Sequence, residues 1–225
     1  MFKNLDPREL ASYTPAEAAR YLRMPLSTLR TWFFGYPSHS MLPVIQPADP
    51  KKRLLSFLNL VEAHVLDSIR DRNIGLPKIR KSLIYIQKTL KSKHPLAEHK
   101  FKTSGKDLFI EYFDELIGVS RAGQTAIADV LNSYLQRIEW DEAGLAKKFY
   151  PYVHQGAPGP NQPQIILIDP TISGGRPVLV GTGISTRVVA ERYLAGESPD
   201  ALARDYNRTR PEIDEILRCE IRLAA

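Results

Sequence analysis

The strongest constraint on how this chain folds is a nine-residue stretch, residues 155–163, that holds three prolines and two glycines. Each proline removes a backbone donor and fixes φ at about −65°, so neither a helix nor a central strand runs through it. It reads as a surface linker. A weaker break falls at Ser92-Lys93-His94-Pro95. Together they predict four parts: residues 1–92, 93–154, the linker 155–163, and 164–225.

Charge is spread unevenly over these parts. Residues 1–92 carry 15 Lys/Arg against 7 Asp/Glu, whereas 93–163 and 164–225 each carry 8 against 9. The excess behind the net charge of +6 therefore lies wholly in the first part. A basic segment joined to nearly neutral ones points to a polyanion-binding module attached to parts with another task. There is no apolar run of 18 residues and no apolar signal-peptide core at the N-terminus, so a cytoplasmic location and no membrane partner are expected. The single cysteine, Cys219, leaves no internal disulfide and no paired-cysteine metal site, and reads as a small half-buried hydrophobe.

The first part reads as helices. Thr14-Pro15 is a helix start, threonine as N-cap and proline in the first turn, with Ala16, Ala19 and Leu22 on one face. Arg23-Met24-Pro25 is a short turn. Ser27-Thr28 opens a second helix anchored by Leu26, Leu29, Trp32 and Phe33, and Gly35-Tyr36-Pro37 closes it. Two short helices across a tight turn make a helix-turn-helix, whose second helix enters the major groove. That leaves Ser27, Thr28, Arg30 and Thr31 outward, hydroxyls and a guanidinium suited to phosphates and base edges. Lys51-Lys52-Arg53 stands where a wing would cross neighbouring phosphates. Period-3.6 patterns then predict a helix carrying Leu54, Phe57, Leu58, Val61, Val65 and Ile69. A further one carries Ile79, Leu83, Ile86 and Leu90, with Lys78, Arg80, Lys81, Lys88 and Lys91 on its other face.

In the second part, residues 99–103 and 107–111 flank Ser104-Gly105-Lys106, which predicts a hairpin, with residues 116–119 as a possible third strand. Residues 124–135 predict a helix. In the last part Ile165-Ile166-Leu167-Ile168 reads as a strand paired with Pro177-Val178-Leu179-Val180 across Ser173-Gly174-Gly175-Arg176, followed by three helices starting near Ser185, at Ser198-Pro199 and at Thr209-Arg210-Pro211. The fold class expected is mainly α with small β elements (α+β): an N-terminal winged helix-turn-helix, a central small α+β unit, and a C-terminal β-hairpin with three helices.

Residues 13–22, Tyr-Thr-Pro-Ala-Glu-Ala-Ala-Arg-Tyr-Leu, followed by Ser27-Thr28-Leu29-Arg30-Thr31-Trp32, resemble the winged helix-turn-helix of MerR-type regulators, and residues 53–60 resemble the helix after their wing. The resemblance implies DNA contacts from Thr14, Ser27, Thr28, Arg30, Thr31, Lys51, Lys52 and Arg53. Beyond residue 92 there is no long dimerising coiled coil and no cysteine set of the kind metal-sensing members carry. Residues 168–185, from Ile168-Asp169-Pro170 through Gly174-Gly175-Arg176-Pro177 to Gly181-Thr182-Gly183-Ile184, resemble a bacterial family of unknown function found in antitoxins paired with PIN-like ribonucleases. This chain has Gly183 where that family commonly has arginine. With residues 101–111, the order of parts resembles VapB-type antitoxins. That resemblance implies operator DNA and a PIN-like toxin protein as partners, and a homodimer on a pseudo-palindromic site. A basic side chain inserted among the metal-binding carboxylates of such a nuclease would block it, and Arg176, Arg187 and Arg192 are candidates by position.

No enzyme is expected. The histidines at 39, 64, 94, 99 and 154 form no metal-ligand spacing, Asp114-Glu115 and Asp141-Glu142 are adjacent rather than paired, and Gly181-Thr182-Gly183 lacks phosphate-loop spacing. No catalytic residue, metal or cofactor follows. The alternative reading is a MerR-like ligand-responsive regulator with a small effector in the central unit, lined by Phe101, Phe109, Tyr112 and Phe113.

Overall fold

A computed structural model describes residues 6–36, 42–69, 75–118, 120–151 and 162–221. His39, Val119, His154 and residues 155–161 of the expected linker fall outside them, as does the Phe113 side chain. Among the described residues the chain is mainly helical, with nine α-helices and two two-stranded sheets, an α+β fold as expected.

Helix α1 (Pro15–Tyr21) begins as the sequence indicates. The Thr14 hydroxyl accepts from the Glu17 amide at 3.2 Å, and the Glu17 carboxylate accepts the Thr14 amide at 2.9 Å, a reciprocal cap that satisfies two donors the helix cannot satisfy itself. The turn that follows places Arg23 in the left-handed region, φ +53°. Helix α2 (Leu26–Phe34) then buries Leu29, Trp32 and Phe33 and stops at Gly35, φ +68°. The helix begins one residue before Ser27, after Pro25, which offers no capping side chain. The chain returns along α2, with the Val44 and Ile45 amides donating to the Trp32 carbonyl at 2.6 and 3.1 Å. It makes a tight turn closed by Asp49 and Leu54 and pairs Leu55 with Tyr13.

Helix α3 (Phe57–Asp67) has ten buried residues, Asn59, Glu62 and His64 among them. A helix enclosed on all faces lies at the centre of a core. The unit from 95 to 149 packs around it, helix α4 (Leu76–Leu90) adds Ile79, Leu83 and Ile86, and one apolar core runs from Tyr13 through α3 to Phe149 and Ile168.

The expected hairpin at 99–111 is overturned. Residues Phe101–Gly105 form one π-helical turn that continues into α5 (Lys106–Ile117), so residues 116–117 end a helix rather than make a strand. Ser-Gly-Lys looked like a turn, but Gly105 has ordinary helical angles, φ −67°. Its lack of a side chain serves close packing instead, since a Cβ there would meet the Leu90 Cδ1 atom of α4 at 2.9 Å. Phe101, Gly105 and Phe109, four apart, all face the core. Helix α6 (Arg121–Leu135) follows, and the true hairpin comes after it. Strand β1 (Ile138–Trp140) pairs antiparallel with β2 (Ala146–Phe149), Ile138 opposite Phe149, across a turn closed by the Asp141 carboxylate and Gly144. Asp141 and Glu142 are thus turn residues.

Strand β3 (Ile166–Leu167) pairs antiparallel with β4 (Val178–Leu179), Ile166 opposite Leu179, as the sequence indicates. Ile168 bridges to Phe149, which joins this hairpin to the preceding one. Helices α7 (Thr186–Leu194), α8 (Pro199–Asp205) and α9 (Arg210–Glu220) pack around Leu179, Val189, Leu202, Ile213 and Ile216. Ser198 caps α8, and Thr209 with Glu212 forms a reciprocal cap on α9. Cys219 is 2% exposed, and burial pushes its thiol up to about 12. Among the described residues no helix is long and apolar enough to cross a membrane.

His64 lies in the core with its Nε2 3.1 Å from the Tyr134 carbonyl, which the ring donates to. Burial pulls its pKa down to about 3, against a smaller opposing effect of that hydrogen bond. In the unfolded chain the ring titrates near about 6.5. Below that pH the unfolded state binds a proton that the folded state refuses, so stability is lost as the pH is lowered, by up to about 1.4 kcal/mol per pH unit. Urea unfolding between about pH 7 and about pH 5 should show this loss in the wild type and a flatter dependence in His64→Gln. An identical slope in both would contradict it.

Candidate nucleic-acid interface and its junction with the C-terminal helices

The residues expected to read DNA are not equivalent in the fold. On α2, Ser27 and Arg30 are exposed, whereas Thr28 and Thr31 are half-buried. The Thr31 hydroxyl donates to the Ser27 carbonyl at 2.9 Å, a bond within the helix. The Thr14 hydroxyl is committed to the cap with Glu17. Ser27 and Arg30 therefore stand one turn apart on the outer face of a helix whose opposite face is anchored by Leu29, Trp32 and Phe33.

Lys51, Lys52 and Arg53 occupy the turn that Asp49 and Leu54 close through a pair of 3.0 Å hydrogen bonds. All three are exposed. The Asp49 carboxylate accepts the Lys52 amide at 2.9 Å, and Arg53, φ +55°, lays its guanidinium over the Phe34 ring of α2 at 4.4 Å. That cation–π contact ties the basic turn to the end of α2.

The turn is also held from below, by a residue that sequence reasoning missed. The Asn59 side chain accepts from the Ala48 amide at 2.9 Å and the Ser56 amide at 3.1 Å, and donates to the Gln46 carbonyl at 2.9 Å. It also reaches Glu62, 3.3 Å away, which in turn accepts from His94 at 3.0 Å. The Ser56-x-x-Asn59 spacing of a helix cap was the available signal; its partners at 46–48 were not legible. On α4, Lys78, Lys81, Lys88 and Lys91 are exposed, while Arg80 turns inward to the Pro43 carbonyl at 3.1 Å and to that of Leu42.

The three arginines expected to meet a toxin differ as well. Arg192 bonds Glu197 at 2.5 Å and Asp205 at 2.5 Å and lies over Tyr206, contacts that push its pKa up, Glu197 foremost. Arg187 pairs only along its own helix with Glu191 at 2.8 Å, and its side chain is 75% exposed. Arg176 is turned toward the N-terminal helices: it bonds Glu17 at 2.9 Å and the Ser12 carbonyl at 3.2 Å, with its guanidinium 5.4 Å from the Tyr13 ring centre. Burial raises the Glu17 carboxyl, but the Thr14 amide and hydroxyl, then Arg176, outweigh it and hold the group below its ordinary value. Beside it, the Tyr13 hydroxyl donates to the Gly175 carbonyl at 2.7 Å. Of the aromatic residues considered for an effector site, Phe101 and Phe109 fill the interior and meet edge to face at 6.0 Å, while the half-buried Tyr112 stacks on Tyr85 at 4.3 Å.

Comparison with known proteins gives the class first. Residues 11–83 match a family described as "Putative DNA-binding HTH domain", and residues 166–218 match "Protein of unknown function (DUF433)". Particular relatives match across nearly the whole chain. The chain is 29% identical over 228 residues to "Putative antitoxin VapB45" of Mycobacterium tuberculosis, covering 91% of this chain and 92% of that one. It is 24% identical over 217 residues to "Uncharacterized protein Rv2308" of the same organism, covering 91% and 88%. The crystal structure of Rv2018 from Mycobacterium tuberculosis superposes with a TM-score of 0.70 at 26% identity, over 92% of this chain and 98% of that one.

Proposed function

We propose that this chain is an antitoxin and transcriptional autoregulator. It binds operator DNA through its N-terminal part, residues 1–92, as a MerR-like winged helix-turn-helix, and neutralises a PIN-like ribonuclease toxin through residues 164–225. Similarity to a protein named as an antitoxin over nine tenths of both chains carries the reading. The exposed Ser27 and Arg30 on α2, flanked by Lys51, Lys52 and Arg53, supply its chemistry. Arg30 has the reach and donor geometry for a guanine edge, Ser27 for a phosphate, and the turn cations for neighbouring phosphates. A cytoplasmic homodimer would set two such modules on the half-sites of a pseudo-palindrome. On the toxin side, Arg187 is the most exposed of the three candidate arginines and pairs only with Glu191 of its own helix, whereas Arg176 bonds Glu17 and Arg192 bonds Glu197, each outside its own element.

Two measurements test the halves separately. Arg30→Ala should weaken binding to a duplex bearing the chain's own promoter by about 1–3 kcal/mol; unchanged affinity would remove Arg30 from the interface. Co-expression with the adjacent reading frame should rescue growth and yield a co-purifying complex. Neither rescue nor complex would remove the antitoxin half.

A further inference from the structure

The first helix of the DNA-binding unit is gripped at both ends by the C-terminal part of the chain. At its start, Arg176 bonds the same Glu17 carboxylate that caps α1, one oxygen serving each task. Tyr13, whose backbone pairs with Leu55 just past the basic turn, donates its hydroxyl to the Gly175 carbonyl. At its end, Arg20 pairs at 3.3 Å with Glu220, a residue held in turn by the Thr186 hydroxyl at 2.5 Å. Arg23, the left-handed residue that sets the angle between α1 and α2, donates to the Arg218 carbonyl of α9. Helix α1 lies packed on α9 between these points.

A left-handed backbone is disfavoured for an arginine, so the turn at Arg23 needs support from its surroundings. Here its guanidinium is spent on the C-terminal end of α9, where orphan carbonyls and the negative end of the helix dipole favour a cation. The turn that orients the recognition helix is thus fastened to a helix almost two hundred residues away in sequence (|i−j| = 195 for the Arg23–Arg218 bond).

We infer that the C-terminal part is a working component of the DNA reader, in which Arg23 and Arg176 are positioning residues that hold α2 in its reading posture. This rests on the DNA-binding half of the proposed function. It assigns Arg176 to the operator side of the protein rather than to the face that meets a toxin. It also makes the two halves mechanically linked, since α9 and the Gly175–Arg176 turn belong to the C-terminal part.

The test uses the full chain carrying Arg176→Gln, Arg176→Lys, Arg23→Gly, or, as a control for the loss of one charge elsewhere, Lys147→Gln. Glycine at 23 keeps the left-handed turn accessible and deletes only the tether. Binding is read by fluorescence anisotropy on a duplex bearing the chain's own promoter and on a random duplex of equal length, and amide hydrogen exchange is followed across α1 and α2. Arg176→Gln and Arg23→Gly should each weaken promoter binding about tenfold, which is 1.4 kcal/mol, with little change on the random duplex. Exchange should quicken in α1 and α2 and not in α6. Arg176→Lys should recover part of both effects, and Lys147→Gln should behave as wild type. Promoter preference and α1–α2 exchange both unchanged in the two tether variants would overturn the inference. If the wild type itself shows no promoter preference, the DNA reading fails on its own account; exchange then decides the positioning claim, local acceleration supporting it and no change refuting it.

Discussion

Gly175→Ala should destabilise the protein by about 3 kcal/mol or more, a large loss set by backbone strain and a clash together. Gly175 has φ +77°, a region that side chains rarely adopt, and a Cβ there would sit 2.2 Å from the Tyr13 hydroxyl. Tyr13 is 1% exposed, and its ring is fixed by Tyr21 at 6.4 Å and by Arg176, so it has no free space to retreat into. Relief would require the junction between the two ends of the chain to open, taking the Tyr13–Gly175 and Arg176–Glu17 bonds with it. Differential scanning calorimetry checks the loss. Tyr13→Phe in the same background should restore part of it by removing the nearest atom, whereas a Gly175→Ala protein that melts with the wild type would contradict the packing described.

Arg137→Leu should be comparably severe, at about 3 kcal/mol or more, because several carbonyls lose a charged donor at once and a buried acceptor left unsatisfied costs about 1–3 kcal/mol. The Arg137 guanidinium is 3% exposed and donates to four carbonyls: Tyr150 at 2.8 Å, Gln162 at 2.7 Å, Pro151 at 3.1 Å and Pro163 at 3.2 Å. Pro151 and Gln162 are the described residues on either side of the 152–161 stretch. One side chain therefore fastens both ends of that stretch to β1 and β2. Lysine has three donors on a single nitrogen and does not match the planar fork, so Arg137→Lys should recover only a minor share. Urea midpoints of the two variants settle this; a midpoint shift below that of an ordinary surface change would refute it.

The elements legible in the sequence were those whose signals are local. Thr14-Pro15 with Glu17, Ser198-Pro199 and Thr209 with Glu212 carry their caps within four residues, and α1, α8 and α9 begin there. The β3–β4 pairing was legible because both strands and their glycine turn lie within fifteen residues. The central unit misled because glycine has two uses. Gly105 admits Leu90 at close range rather than making a turn, and only the position of α4 distinguishes the two. In the candidate site, the exposed faces of α2 and of the basic turn followed from periodicity and punctuation. What the sequence withheld were partners far away in the chain: Asn59 under the turn, and the 159 residues between Glu17 and Arg176. An arginine following a glycine turn looks alike whether it meets a second protein or its own N-terminal helix.

Sequence reading by α2 and its neighbouring turn, as opposed to attraction by a merely basic surface, is what the proposed function most depends on. The direct measurement is competition between the chain's own promoter duplex and random-sequence duplex for the full-length protein at two salt concentrations. Reading predicts a preference of about 10³-fold or more for the promoter, reduced in Arg30→Ala, with affinity for both duplexes falling as salt rises. Equal affinity for the two duplexes, unaltered by Arg30→Ala, would contradict it.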